Sequence, residues 1–110
     1  MPHAPSSFRI HPAVLQDIEQ IKQHNPDHAR RCFDAIEDWE RQLRWGRVPQ
    51  EQMAYLTGSE RYNFYREWVG RSGYRVIYEI SNDAMTALAV LPKGDDTDDL
   101  DELDQRMSQL

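Results

Sequence analysis

The spacing of apolar residues changes along this chain, and the change predicts helices followed by strands. Between residues 14 and 43 apolar side chains recur every three or four positions, the period of one helix face. Pro12 suits the first position of a helix because it has no N–H to leave unsatisfied. Asn25 and Pro26 interrupt the pattern, since the residue before proline avoids the α-helical region. We therefore predict a helical hairpin.

Each helix of the hairpin has one apolar face to bury. In the second helix, Asp27 can serve as the N-cap and Gly46 as the C-terminal stop. The apolar face of the first helix consists of Val14, Leu15, Ile18 and Ile21. That of the second consists of Ala29, Cys32, Phe33, Ile36, Trp39 and Leu43.

Three later segments have the composition of β-strands. Residues 62–69 are rich in aromatics, residues 74–80 alternate, and residues 85–91 are almost continuously apolar, as in a strand buried on both faces. A short strand is expected at residues 7–10 and a loop or helical turn around residues 49–58. This order predicts an α+β fold: an N-terminal strand, the helical hairpin, and a three-stranded antiparallel meander. The helices would cover one face of the sheet and leave the other free to bind.

Charge divides the chain into a neutral body and an acidic tail. The first 94 residues carry 12 acids and 12 bases, whereas the last sixteen carry seven acids and Arg106 alone. The net charge of −6 therefore describes the tail and does not exclude a nucleic-acid target for the body. We predict one domain at residues 1–94 and an acidic tail at residues 95–110. The tail is either solvated or a short helix that covers the meander or imitates nucleic acid there, because helical spacing relates Leu100, Leu103, Met107 and Leu110.

Composition excludes several kinds of protein. The apolar run at residues 85–91 is far shorter than the roughly 20 residues of a membrane helix. The first seven residues lack a secretory signal pattern, so the cytoplasm is the expected compartment. A single cysteine, Cys32, excludes an internal disulfide, and its place on an apolar helix face predicts a buried thiol. With no glycine-rich phosphate loop or paired-histidine motif, we expect no metal or organic cofactor.

Cations and phenols are concentrated in the predicted sheet. Alternation places Arg66 on the same strand face as Phe64 and Trp68. Guanidinium donors match a phosphate, and aromatic faces stack on unpaired bases. The same residues also suit an ordinary sheet with an aromatic core and solvated or ion-paired arginines, and composition leaves both interpretations open. The group comprises Arg61, Tyr62, Tyr65, Arg66, Arg71, Tyr74, Arg75, Tyr78 and Lys93.

Four segments, in order, carry a family resemblance over about residues 8 to 95. They are Val-Leu-Gln-Asp-Ile at 14–18, Leu-Thr-Gly at 56–58, Tyr-Arg-Val-Ile-Tyr-Glu-Ile at 74–80 and Thr-Ala-Leu-Ala-Val-Leu-Pro-Lys-Gly at 86–94. Together they resemble the RelE/ParE superfamily, the toxins of bacterial type II toxin–antitoxin pairs. The resemblance implies a small toxin that a cognate antitoxin holds inactive.

The resemblance also implies roles for individual residues. Ribonuclease members cut mRNA in the ribosomal A site without a metal, which requires a base for the ribose 2′-OH, cations around the phosphate and an acid for the leaving oxygen. By position, Arg66 and Lys93 would stabilise the phosphate charge, with Arg61, Arg71 or Tyr78 assisting. Arg75 would be structural or would bind phosphate.

Two other activities remain open. Ribonuclease members carry several lysines and arginines on the second strand of the chain, where this protein has Tyr-Asn-Phe-Tyr-Arg-Glu-Trp at residues 62–68. They also end with a further arginine and a tyrosine, where this chain has the acids of residues 95–99. These differences favour a ParE-like inhibitor of DNA gyrase that performs no reaction, or a non-toxic member that only binds another protein.

Overall fold

A five-stranded mixed sheet lies between a helical hairpin and a third helix. The computed structural model describes residues 3–92 and 100–110, and it confirms the α+β class. The elements, in chain order, are β1 (Ser7–Ile10), α1 (Pro12–His24), α2 (Pro26–Arg44), a 3₁₀ turn (Pro49–Glu51), β2 (Ala54–Leu56), β3 (Phe64–Trp68), β4 (Arg75–Ser81), β5 (Ala84–Leu91) and α3 (Leu100–Ser108).

The sheet is larger than the predicted three-stranded meander. Its strand order is β1-β5-β4-β3-β2, with β1 parallel to β5 and the other neighbours antiparallel. The strand missing from the prediction is β2, an edge strand of three residues that pairs with β3. Three residues are too few to show a period of two, so the sequence indicated only a loop or helical turn there.

The two hairpin helices begin with proline, as the sequence predicted for the first of them. Asn25 both ends α1 and caps α2, because its side-chain oxygen accepts a hydrogen bond from the His28 N–H at 3.1 Å. The predicted cap, Asp27, is wrong: it lies within the first turn of α2, where its negative charge favours the positive end of the helix dipole.

The main core lies between this hairpin and the sheet. A β-bulge in the β4–β5 pairing, between Ile77 and Tyr78, makes the neighbouring residues Leu88 and Ala89 both face α3. The fully or almost fully buried side chains on the hairpin side include Val14, Cys32, Ile36, Trp39, Val76, Tyr78, Met85 and Ala87.

The third helix covers the face of the sheet that the sequence analysis left free. Leu103 and Met107 of α3 are buried against Phe64, Ile77 and Leu88 in a second apolar cluster. The expectation of a free sheet face is therefore wrong, and of the two alternatives for the acidic tail the structure has the short helix that covers the meander. Gly58 lies next to the first residue of α3, since a Cβ there would lie 2.7 Å from the Cδ1 atom of Leu100, and its φ of +121° favours glycine. The boundary predicted after residue 94 lies outside the described residues.

Candidate functional site

Two arginines flank one half-exposed tryptophan at the end of the sheet. The guanidinium carbon of Arg66 lies 5.6 Å from the Trp68 ring centroid, and that of Arg75 lies 5.8 Å from the same centroid. Trp68 is 50% exposed and Arg66 is half-buried. We call these three residues the arginine–tryptophan cluster. It combines an aromatic surface with positive charge, which suits a phosphate next to an unpaired base.

Strand geometry explains why these residues meet. Arg66 and Trp68 are two positions apart on β3 and so share a face, and Arg75 of β4 is the direct partner of Trp68. On that same face, Phe64 lies under α3. Arg66 therefore lies between the region that α3 covers and the exposed ring of Trp68.

Arg75 has the surroundings of a structural residue. Its side chain is almost fully buried, and its Nη1 atom donates a hydrogen bond to the Pro92 carbonyl at 2.7 Å. Because Pro92 directly follows β5, this bond fixes the end of that strand beside β4. Its charge still adds to the positive potential around Trp68.

The structure places Arg61 and Arg71 at opposite ends of β3. Both are exposed. Arg61 precedes the strand in a loop where its backbone N–H donates to the Ser59 hydroxyl at 3.4 Å, and Arg71 follows the strand in the turn that leads to β4. A strand of five residues spans about 17 Å, so Arg71 lies at the Trp68 end and Arg61 at the far end.

Tyr78 lies on the other side of the sheet from Arg66. It is fully buried against α2, and its hydroxyl finds no hydrogen-bond partner among residues 3–92 and 100–110. Burial raises its pKa well above the ordinary value, and the nearby Glu67 and Cys32 raise it further. The geometry thus does not bring Tyr78 to the cluster, and Lys93 lies outside the described residues.

Trp68 is not among the site residues predicted from the sequence. The available signal was its spacing of two from Arg66 on one strand, together with its position just before a glycine turn. In the part of the chain that the structure describes, no three His, Cys, Asp or Glu residues are grouped so that they could hold a metal ion. Each described helix is too short or too polar to cross a membrane.

Comparison with known proteins gives one informative likeness. No protein-family model matches the chain, and no curated protein matches it significantly. A chain of the crystal structure of the archaeal RelE–RelB complex from Pyrococcus horikoshii OT3 is similar, with a TM-score of 0.55 and 25% sequence identity. The match covers 80% of this chain and 94% of that chain. The chain therefore has a RelE-like fold.

Proposed function

We propose that this chain is the toxin of a type II toxin–antitoxin pair, and that it cleaves mRNA on the ribosome. The observation that carries the proposal is the arginine–tryptophan cluster. It lies on a fold that is similar to 94% of a chain of the RelE–RelB complex. Because that neighbour is part of a toxin–antitoxin complex, we propose a cognate antitoxin as the partner of this chain. Its place of action would be the cytoplasm, where ribosomes are found.

Cleavage of RNA requires positive charge near the phosphate, where negative charge develops in the transition state. In metal-independent cleavage the ribose 2′ oxygen loses its proton and attacks the adjacent phosphate, the bond from phosphorus to the 5′ oxygen breaks, and the 5′ oxygen leaves with a proton. The products are a 2′,3′-cyclic phosphate and a 5′-hydroxyl, and the transition state carries extra negative charge on the phosphate oxygens. A guanidinium group has several N–H donors that match phosphate oxygens, and that of Arg66 lies beside the exposed ring of Trp68, which can hold a neighbouring base. Arg66 is thus the residue to which we assign transition-state stabilisation.

We assign different roles to the other predicted site residues. Lys93 and Arg71 would add charge around the same phosphate, Lys93 by the family resemblance and Arg71 by its place at the Trp68 end of β3. Arg61, at the far end of β3, would contact a more distant phosphate. Tyr78 would take part only if the sheet opened, since its hydroxyl is buried on the hairpin side.

A second function is favoured by the packing of α3. This helix covers Phe64 and Ile77, next to Arg66, and β3 carries Arg66 as its one cation. Both features reduce the positively charged surface available to RNA, whereas an inhibitor that binds DNA gyrase needs no phosphate site. The gyrase inhibitor is therefore the alternative proposal.

Two assays on the purified protein separate the proposals. In the first, ribosomes programmed with a defined mRNA are incubated with the protein, and cleavage in the A site is read by primer extension. In the second, DNA gyrase supercoils relaxed plasmid in the presence of the protein. Cleavage without gyrase inhibition supports the ribonuclease, and the reverse result supports the alternative. Neither effect, together with harmless expression in the absence of an antitoxin, would refute both and leave only a protein-binding role.

A further inference from the structure

A small cleft opens between α1 and the end of the sheet, beside the arginine–tryptophan cluster. Its volume is about 200 Å³, and its apolar lining includes Ile21, Val90 and Pro92. Pro92 connects the two places, because it lines the cleft while its carbonyl oxygen accepts the hydrogen bond from Arg75. A ligand bound at the cluster therefore has the cleft as its neighbour around the end of the sheet.

The polar groups of the cleft suit a flat, hydrogen-bonding ligand. Tyr74 supplies an aromatic wall, and an edge-to-face contact with His28 at 5.7 Å between ring centroids fixes the orientation of its ring. Both oxygens of Asp17 already accept hydrogen bonds within the protein. Among the described residues that line the cleft, Gln20 and His24 are both exposed on α1 and can reach a ligand.

These features together match a nucleobase. Bases of single-stranded RNA are recognised by stacking on aromatic rings and by hydrogen bonds to their edges. A carboxamide pairs in a bidentate manner with the amino group and ring nitrogen of adenine. The volume is below that of pockets for drug-sized ligands, as expected for a single base.

We propose that this cleft binds one adenine base of the RNA whose phosphate lies on the arginine–tryptophan cluster, an inference that rests on the proposed function. Gln20 reads the edge of the base and Tyr74 supports its face. The cleft would then give the protein a base preference, while Arg66 would give affinity that is independent of sequence.

The test measures base preference with the full chain and short fluorescein-labelled homopolymers of adenylate, cytidylate and uridylate. Dissociation constants are determined by fluorescence anisotropy for the wild type, Gln20→Leu and Gln23→Leu. Gln23 is an exposed glutamine of the same helix that does not line the cleft, so its variant is a matched control. We expect the wild type and Gln23→Leu to bind oligoadenylate at least about fivefold more tightly than the pyrimidine homopolymers, the lower end of what one bidentate pair supplies. Gln20→Leu should bind all three equally.

The outcomes distinguish this inference from the proposed function. Equal binding of the three homopolymers by the wild type, or a preference that persists in Gln20→Leu, would overturn the adenine cleft and leave RNA binding intact. A preference lost equally in Gln23→Leu would also count against the cleft. Failure of the wild type to bind any homopolymer would overturn the cleft, whereas the ribosome assay described above decides the proposed function independently.

Discussion

Arg106 of α3 and Asp17 of α1 form an ion pair that takes the place of a strand at the edge of β5. The pairing of β1 with β5 ends at Ile10 and Ala87. At the next positions of β5, the Nη1 atom of Arg106 donates to the Leu88 carbonyl at 2.9 Å, and Asp17 Oδ2 accepts from the Val90 N–H at 3.1 Å. The two side chains also bind each other, at 2.8 and 3.2 Å. The pair thus connects α1, β5 and α3.

A second contact holds the same turn of α3. The Nδ1 atom of His11 accepts a hydrogen bond from the Ala13 N–H, so in the neutral ring the proton is on Nε2, which donates to the Arg106 carbonyl at 2.9 Å. The Arg106 pKa is raised, chiefly by its hydrogen bonds to Asp17, so the guanidinium remains charged. Arg106 therefore adds polar contacts with α1 and β5 to the apolar packing of α3.

Arg106→Ala should lower the free energy of unfolding by about 2 kcal/mol, because it leaves the Asp17 carboxylate and the Leu88 carbonyl without their partner. Urea denaturation followed by circular dichroism measures the loss. The matched control is Arg41→Ala, which removes an exposed arginine paired with Asp38 on α2 and should cost less than about 0.5 kcal/mol. Equal losses in the two variants would show that the Arg106 pair is no stronger than a surface pair.

The fold could be predicted from the sequence wherever an element has enough residues to show its period. The apolar faces of α1 and α2 and the alternation of β4 were long enough to predict these three elements. The role of Arg106 was not predictable, because a base near the end of a helix is equally explained by the helix dipole. Its partners lie far away in sequence, at Asp17 and Leu88, and only packing brings them together.

Leu103→Ala should destabilise the protein by about 3 kcal/mol, since this side chain is 3% exposed and its loss leaves a cavity against Phe64 and Leu88. Leu110→Ala is the control, because Leu110 is 48% exposed and lies beyond the end of α3. We expect the control to change the free energy of unfolding by less than about 0.5 kcal/mol. If Leu103→Ala costs as little, α3 is not packed on the sheet in solution.

Glu67→Gln should stabilise the protein at neutral pH but not in acid. Glu67 accepts a hydrogen bond from the Trp39 Nε1–H at 2.9 Å, yet burial raises its pKa, with a smaller contribution from Asp38. A raised pKa means that the folded state binds the proton more tightly, so ionised Glu67 costs stability as pH rises from about 4.3 through the raised value. Glutamine keeps an oxygen for Trp39 and carries no charge.

Measuring the free energy of unfolding of both proteins at several pH values tests the predicted direction of the pH dependence. The stability advantage of Glu67→Gln should be absent below the ordinary carboxyl pKa and should grow through the window until the wild-type carboxylate is ionised. An advantage that does not change with pH would contradict the assignment to charge burial.

The Cys32 thiol should be inert in the folded protein. It is fully buried, and burial raises its pKa to about 11, so hardly any reactive thiolate exists near neutral pH. Iodoacetamide at about pH 8 should modify it only after unfolding, as measured by intact-mass spectrometry. Modification of the folded protein at the rate of the unfolded chain would show that α2 opens readily.

The candidate site was predictable only in part. Alternation along β3 placed Arg66 and Trp68 on one face, and the structure agrees. Tyr78 was predicted to assist Arg66 and Lys93, but the parity of β4 turns its phenol to the hairpin side. Alternation shows which strand residues share a face, but it does not show which helix covers that face. In this sheet the hairpin covers one face and α3 covers part of the other.

Arg66→Ala should weaken RNA binding in a salt-dependent way and abolish the growth arrest that expression of the wild type causes. Each phosphate contact on single-stranded RNA contributes roughly 0.7 to the slope of log K against log salt. Loss of Arg66 should reduce the slope by about that amount. Trp68→Ala should instead lower affinity by about 1–3 kcal/mol, the contribution of one stacked base, and leave the slope unchanged.

The control for the salt-slope measurement is again Arg41→Ala, because Arg41 is exposed on α2 and lies beside the exposed ring of Trp45, the residue that follows this helix. It thus reproduces an arginine–tryptophan pair without the proposed site. Wild-type affinity, salt slope and toxicity are expected in this variant. If Arg41→Ala lowers the slope as much as Arg66→Ala does, RNA binds by surface charge in general. If Arg66→Ala remains fully toxic, Arg66 does not belong to the site, and the gyrase assay becomes the decisive measurement.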